Sequence, residues 1–377
     1  MILNVLIVII IFSYLLFVFF QIWGWWRLKK PEEAGNARLY FSVIIPVRDE
    51  VKYVAGLIHC LEGQTYPKQN FEVIVVDDNS KDGTYLKLLE LSRINDLNMK
   101  VIQLPLEEDN PISHKKAAIT LGIQEATGDI ILMTDADVEM GKNWIQDYAG
   151  KFSSSDIQFI SGPVMMKEGP FFQELQSIEF ASLIGVGGAM LYYRKPVMCN
   201  GANLAYRREA FLEVGGYEDN RHIISGDDEF LMYKISKRYP DGTIFMKSKP
   251  STVTVKPVSR FSEFYNQRRR WSGKWKQHPN PRSKVLALYI FMLHSTFLAS
   301  IALGILGEIP SPVFLFLWIS KIIAEYIFLL VIYTFFSRRL KIFPFLMCSL
   351  LYSFYAVTFG ILSNFGGYVW KGRLYKN

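Results

Sequence analysis

Residues Ile2 to Trp26 carry no charged side chain, and Val285 to Gly307 and Ile342 to Tyr368 are also free of Asp, Glu, Lys and Arg. Apolar stretches of this length are long enough to span a bilayer as helices. Trp23, Trp25 and Trp26 form an aromatic belt followed by Arg27, Lys29 and Lys30. That order predicts a transmembrane helix over 1–26 with its C-terminal end in the cytoplasm. A cleaved signal peptide fits poorly, because no basic region precedes the stretch and no small-x-small site follows it. Pro312 to Phe336 is apolar except for Lys321 and Glu325, four apart and so on one helix face. Such a pair in a membrane segment reads either as a functional feature or as a packed ion pair that holds the bundle together. The region 285–368 is thus expected to hold about three hydrophobic helices.

Between these ends the pattern alternates. "FSVIIPV" from Phe41 is a short run rich in β-branched residues, and "VAGLIHCLEGQ" has helical spacing. "FEVIVVDDNS" is a second buried strand ending in acids, "GTYLKLLELSRI" is a helix, and "KVIQLPL" and "GDIILMTDAD" repeat the strand pattern. Strands separated by helices predict an α/β domain with a mainly parallel, Rossmann-like sheet covered on both faces. Ligands of such sheets lie beyond the carboxyl ends of the strands, so "PVRDE", "DDNS" and "DAD" should converge on one edge. Asp135 and Asp137 directly follow the apolar run Ile130 to Met133, and alone they could form a solvated turn. Three acidic strand ends on one edge repel one another unless a cation or hydrogen-bond donors sit among them. Hard oxygen ligands favour Mg²⁺ or Mn²⁺ over zinc.

Composition extends this picture. Half of the 377 residues are hydrophobic, with 28 Phe and 20 Tyr, and the apolar residues crowd at the two ends around a soluble middle. The net charge of +7 is concentrated beside apolar segments, at Arg27 to Lys30, Arg268 to Arg270, Arg338 to Lys341 and Lys371 to Lys376. That placement matches positive-inside flanks facing anionic membrane lipids, and it argues against nucleic acid. Cys60, Cys199 and Cys348 have no metal-ligand spacing, and the five histidines form no zinc-like cluster, so a reduced cytoplasmic middle domain fits.

"SVIIPVRDE", "VIVVDDNSKDGT", "HKKAAI", "TDADV", "CNGANLAYRRE", "SGDDEF" and "QRRRW", in this order, resemble the family 2 inverting glycosyltransferases with a GT-A fold. The likeness is to the membrane-anchored branch that includes cellulose, hyaluronan and poly-N-acetylglucosamine synthases and many lipid glycosyltransferases. It covers roughly residues 40 to 275. It implies a GT-A domain over 38–256, an interfacial Q-x-x-R-W segment over 257–281 and a C-terminal membrane region over 285–368.

Carried over by position, the resemblance implies that Asp78 contacts the uracil of a UDP-sugar and that Asp77 supports its loop. Glu50 and Lys116 would stand beside the nucleotide. Asp135 would reach the ribose or a metal-bound water, and Asp137 would ligate the Mg²⁺ or Mn²⁺ bridging the diphosphate. Asp228 matches the catalytic base, where the synthases commonly have Thr-Glu-Asp. Gly201, Asn203 and Asp227 fall on the acceptor side, and Gln267, Arg270 and Trp271 match the Q-x-x-R-W signature. His114 and Lys115 are expected as surface neighbours of Lys116.

The chemistry asks for these residue types. An inverting transfer needs one carboxylate to take the acceptor proton opposite the leaving diphosphate. The diphosphate gathers charge that a metal and an arginine can stabilise. Asp227, Asp228 and Glu229 crowd together, so mutual repulsion is expected to raise the base's pKa, although a solvated helix start would also collect acids. "QRRRWSGKW" could equally be a basic flank or an amphipathic surface helix.

The reading is an inverting transferase moving one sugar from a UDP-linked donor to a lipid-linked or saccharide acceptor at the cytoplasmic face of the inner membrane, serving envelope glycan or glycolipid synthesis. A processive polysaccharide synthase is the alternative, since "ELQSIEFASLIG" resembles the poly-N-acetylglucosamine branch, but few membrane segments are left for a channel. A catalytically dead nucleotide-sugar sensor sits badly with a retained base, metal acid and signature. A dinucleotide-binding protein lacks G-x-G-x-x-G after its first strand. One crossing before the domain and three after it would put the tail outside, against the pull of Lys371, Arg373 and Lys376. The Lys321/Glu325 segment is the suspected re-entrant or interfacial one.

Overall fold

The computed structural model describes residues 2–29, 39–105, 113–274 and 277–376. Lys30 of the basic flank, Arg38 at the expected domain start and Trp275 of the basic segment lie outside the described residues. In chain order the elements are α1 (Ile2–Arg27), β1 (Phe41–Val47), α2 (Val54–Glu62), β2 (Phe71–Asp77), α3 (Thr84–Ile94), β3 (Met99–Gln103), α4 (His114–Gln124), β4 (Ile130–Met133), β5 (Val138–Met140) and α5 (Trp144–Phe152). They continue with β6 (Phe159–Ser161), β7 (Val164–Met166), α6 (Phe171–Tyr192), β8 (Leu204–Arg207), α7 (Arg208–Glu213), α8 (Asp227–Arg238), β9 (Thr243–Phe245) and β10 (Val253–Val255). The C-terminal part holds α9 (Phe261–Gly273), α10 (Pro281–Ile305), α11 (Ser311–Phe335), α12 (Ile342–Leu362), β11 (Gly367–Trp370) and β12 (Arg373–Lys376).

Two compact units emerge. The sheet unit comprises Leu28–Lys167 and Leu191–Lys256, and the helical unit comprises Met1–Arg27, Glu168–Met190 and Pro257–Asn377. In the sheet unit the main sheet runs β3-β2-β1-β4-β8-β6-β9, and β5-β10-β7 form a second, three-stranded sheet. Strands β3, β2, β1 and β4 are parallel neighbours, while β8 runs antiparallel to both β4 and β6. This is the mainly parallel α/β architecture that the alternating pattern predicts. Strand β2 is buried along its whole length, as expected of an apolar run covered by helices on both faces. Phe41, Val43, Ile45, Val73, Val75 and Trp144 belong to the core of this unit.

Register decides where the acids emerge. Val47 at the end of β1 pairs with Asp77 at the end of β2. Strand β4 ends at Met133 opposite Ile44, so "TDAD" leaves the sheet on the same edge. The loops after β1 and β2 interlock there: Asp49 Oδ1 accepts from the Lys81 amide (2.8 Å), and the Asp49 and Glu50 amides donate to Ser80 Oγ (2.9 Å) and Thr84 Oγ1 (2.8 Å).

The chain is a membrane protein. Among the described residues five helices, α1, α6, α10, α11 and α12, are long and apolar enough to cross a bilayer. Helix α6 interrupts the sequence range read as one catalytic domain and packs instead in the helical unit. Its first half carries Glu174, Gln176 and Glu179, which kept it from standing out as apolar. Lys321 and Glu325 form a satisfied network: Lys321 Nζ donates to Glu325 (2.8 Å) and to the carbonyl and hydroxyl of Ser349 (3.0 Å each), and Tyr14 donates to Glu325 (2.7 Å). The pair therefore pins α1, α11 and α12 together, as a packed ion pair does.

Candidate active site

The carboxylates of the sheet edge are met by cations from the protein itself. Asp78, buried at the end of β2, lies 3.5 Å from Arg48 and 3.4 Å from His114 at the start of α4. Asp77 Oδ2 accepts from the Ser80 amide at 3.0 Å and so shapes the turn. Lys115 donates to Asp135 at 3.0 Å and lies 3.4 Å from Asp227. Its position ties the strand-end acid to the start of α8. Asp135, Asp227 and Asp228 outweigh the effect of burial and hold the Lys115 ammonium well above the ordinary lysine range.

Helix α8 opens at Asp227 after Gly226, whose φ of 82° lies in the left-handed region. A Cβ at Gly226 would sit 2.8 Å from the Phe230 ring, so glycine is required on both counts. Three acids in the first turn suit the positive end of the helix. Asp228 Oδ2 accepts from the Gly201 amide at 3.0 Å and Oδ1 from the Glu229 amide at 2.8 Å, so its carboxylate is held in one orientation. Burial pushes the Asp227 carboxyl up, but Lys115 and Lys116 overcome this and leave it below the ordinary value. The repulsion expected from three crowded acids is thus neutralised at Asp227 by a lysine.

Three sequence expectations need correcting. Lys116, 1% exposed, acts on Asp227 and Asp228 only through its charge. Its ammonium donates to the carbonyl and side-chain oxygen of Asn220 (2.8 and 2.9 Å), between the rings of Tyr217 and Phe230. Successive residues on a helix point about 100° apart, and it is Lys115 that makes the direct contacts with the carboxylates while Lys116 bonds Asn220. Lys115 and His114, expected as surface neighbours, reach Asp135 and Asp78 instead. Asn203, expected at the acceptor, is fully buried. Its amide donates to Pro163 and Ser251 carbonyls (2.8 Å each), and its oxygen accepts from Trp144 (2.9 Å) and Tyr148 (2.8 Å). All four hydrogen-bonding positions are taken, which makes it a structural residue. Gly201 does stand in the cluster, where a Cβ would be 3.5 Å from both Lys115 Nζ and Asp227 Oδ2.

The Q-x-x-R-W residues belong to the helical unit, on α9. Their organiser is Arg268, which the signature does not include. Buried at 1% exposure, Arg268 binds Glu179 of α6 through Nε and Nη2 (3.0 and 2.5 Å), donates to Gln267 Oε1 (2.5 Å) and lies 4.3 Å from the Trp271 ring centroid. Arg270 rests over Trp370 of the terminal hairpin at 5.1 Å.

Residues 130–362, more than half of the chain, match the family described as "Glycosyl transferase family group 2", and residues 42–215 match "Glycosyl transferase family 2". The chain belongs to this glycosyltransferase family. It is a nucleotide-sugar-dependent glycosyltransferase with a GT-A fold. Glycosyltransferase AglE of Haloferax volcanii is 25% identical over 240 residues, covering 61% of this chain and 71% of AglE. TarS of Staphylococcus aureus, a poly(ribitol-phosphate) β-N-acetylglucosaminyltransferase, is 38% identical over 109 residues, covering 29% of this chain and 18% of TarS. The structure of the mannosyltransferase PcManGT from Pyrobaculum calidifontis, in complex with GDP-Man and Mn²⁺, aligns with a TM-score of 0.61 at 17% identity, over 94% of this chain and 98% of that one.

Proposed function

We propose that this glycosyltransferase moves a single sugar with inversion from a UDP-sugar to a lipid-linked or saccharide acceptor at the cytoplasmic face of the inner membrane. The observation that carries the reading is Lys115 between Asp135 and Asp227, which joins the strand-end acids of the donor side to the α8 acids of the base side in one site. Asp228 is the base: its fixed carboxylate takes the acceptor proton as the anomeric bond to the diphosphate breaks. Lys115 is a cation for the charge that gathers on the leaving diphosphate. Asp78, with Asp77, Glu50, Arg48 and His114 around it, serves the nucleotide base, and Gly201 and Asp227 border the acceptor.

Asp135 and Asp137 fit a hard divalent cation, Mg²⁺ or Mn²⁺, by their carboxylate oxygens. Among the described residues no group of three or more His, Cys, Asp or Glu side chains is set to hold an ion, so substrate phosphates and water would complete its shell. Bound there, the ion would supply Lewis-acid stabilisation of the diphosphate. A membrane-integrated chain meets its acceptor at the lipid surface, which favours a lipid-linked acceptor over a free saccharide. Gln267, Arg270 and Trp271 are assigned to the acceptor and diphosphate.

The test is turnover by purified protein on a panel of UDP- and GDP-sugars with membrane lipid extract as acceptor, with and without EDTA. Transfer of one UDP-sugar to extractable lipid, abolished by EDTA and by Asp137→Ala, is expected. Preference for a GDP-sugar would overturn the donor, long polymer products would overturn single transfer, and full activity in EDTA would overturn the metal.

A further inference from the structure

Helices α10 and α11 form an antiparallel hairpin, with Gly304 against Phe314 and Trp318 donating to Ser300 at 3.2 Å. Helix α1 runs parallel to α11: Tyr14 bonds Glu325 midway, and Trp25 meets Phe335 at the far end with ring centroids 5.4 Å apart. Helix α1 feeds the sheet unit at Leu28, and α9 begins at Phe261, just after that unit closes at Lys256. The C-terminal end of α1, helix α9 and the start of α10 therefore share one membrane face, the catalytic face. Helix α11 returns to that face beside the end of α1.

Helix α12 starts there too, with six residues between it and the end of α11. It also ends there. The carbonyls of Leu362 and Phe365 accept from Arg269 of α9, and the β11–β12 hairpin is bonded to α9 through Val369 N and Asn266 Oδ1 at 3.0 Å. Helix α9 carries Gln267 and three successive arginines, which keeps it out of the hydrocarbon core. The path of α12 agrees. It is antiparallel to α11, by Lys321 with Ser349 and Tyr326 with Phe345, and antiparallel to α10, by Phe291 with Gly360 and His294 with Ser353. Three mutually antiparallel helices cannot all follow one membrane normal, so one must lie steeply across the others. Its two ends on the catalytic face make α12 that helix.

We infer that α12 does not cross the membrane but dips into it from the catalytic face, so that α1, α10 and α11 are the crossing helices and the C-terminal hairpin stays on the membrane face where α9 lies. Helix α6 obeys the same constraint. Its flanking strands β7 and β8 both belong to the sheet unit, and β8 pairs with β4 and β6 from before the helix, so α6 cannot deliver the chain to the opposite face. The partner of this layer is the acyl-headgroup boundary, to which α12 presents Ile342, Phe343 and Phe354 at 62%, 66% and 54% exposure. Charge supports the assignment. Arg338, Arg339, Lys341, Lys371, Arg373 and Lys376 all fall on the catalytic face, whereas the α10–α11 turn carries Glu308 and no basic residue. The suspected re-entrant segment is therefore α12 and not the Lys321/Glu325 helix.

The test uses the full chain in native membranes, with Cys60, Cys199 and Cys348 replaced by alanine and one new cysteine at a time. Glu90→Cys reports the sheet unit, Arg339→Cys the α11–α12 turn, Leu306→Cys the α10–α11 turn and Leu374→Cys the hairpin. A membrane-impermeant maleimide is applied to intact cells and to inverted vesicles. Positions 90, 339 and 374 should label from one face and 306 from the other. Labelling of 374 together with 306 overturns the inference, as does labelling of 306 from the same face as 90. If a cysteine variant does not accumulate, trypsin on the unmodified chain gives the same answer: cleavage at Lys371 and Arg373 should occur only from the face at which the sheet unit is cut.

Discussion

The Lys115 ammonium lies 3.4 Å from the Asp227 carboxylate while it donates to Asp135 at 3.0 Å, and this one side chain gathers the acidic ends of β4 and α8 into a single site. Lys115→Met should lower kcat on the order of 10²- to 10³-fold, the scale for losing one preorganised electrostatic partner. Lys116→Met, which removes an ammonium bonded to Asn220 and not to the carboxylates, should leave kcat within a few-fold of wild type. Steady-state kinetics on both variants checks this, and equal losses would refute the division between the two lysines.

Asp228 should act on rate and not on donor binding. Asp228→Asn keeps the shape, and its oxygen can still accept from Gly201, but it cannot take a proton. The expected loss is on the order of 10²- to 10⁴-fold in rate with nucleotide affinity nearly unchanged. Asp227→Asn should cost less. A collapse of donor affinity in Asp228→Asn, measured by calorimetry, would give this carboxylate another job.

Burial brings the Lys116 ammonium down to about 8, against the pull of Asp227, Asp228 and Asp219. The sign follows from linkage: a lysine with a depressed folded value costs stability below that value, and the cost is relieved as pH rises toward the unfolded value of about 10.4. Between those limits the unfolded chain binds more protons, so wild-type stability should gain up to about 1.4 kcal/mol per pH unit from this residue. Thermal unfolding in detergent at a series of pH values should show that contribution in wild type and its absence in Lys116→Met.

Asn203→Ala should destabilise the fold without altering acceptor recognition. It would leave buried partners such as the Trp144 indole N–H without an acceptor, at about 1–3 kcal/mol for each such group. A lowered Tm with an unchanged acceptor KM in the folded fraction is expected, and a selective rise in KM would restore Asn203 to the acceptor site.

Glu179→Gln should weaken the anchoring of α9 by removing the charge that compensates buried Arg268. Breaking one partner of a buried pair costs about 3–5 kcal/mol, whereas the double variant Arg268→Met/Glu179→Leu removes both charges and should recover part of that loss. Unfolding of the three variants side by side gives the coupling.

Strands β1 to β4, their acidic ends, the family and the apolar helices α1, α10, α11 and α12 were legible in the chain, because each is a local signal. A β-branched run buried on both faces, a period-3.6 stripe or twenty uncharged residues depends only on near neighbours in sequence. "FSVIIPV" became β1 over the residues that its pattern marks, Phe41–Val47. Tertiary structure decided what local pattern leaves degenerate. Two adjacent lysines on α4 have the same chemistry, and only the position of α8 selects Lys115. An asparagine in a loop motif reads as a ligand until its four partners, from Trp144 to Ser251, close around it. Helix α6 looks too polar at its start to join an apolar bundle until Arg268, eighty-nine positions later, compensates Glu179. Hydropathy measures length and composition, so α12 and α11 look alike in sequence. Only the contacts of their ends distinguish a helix that crosses from one that turns back.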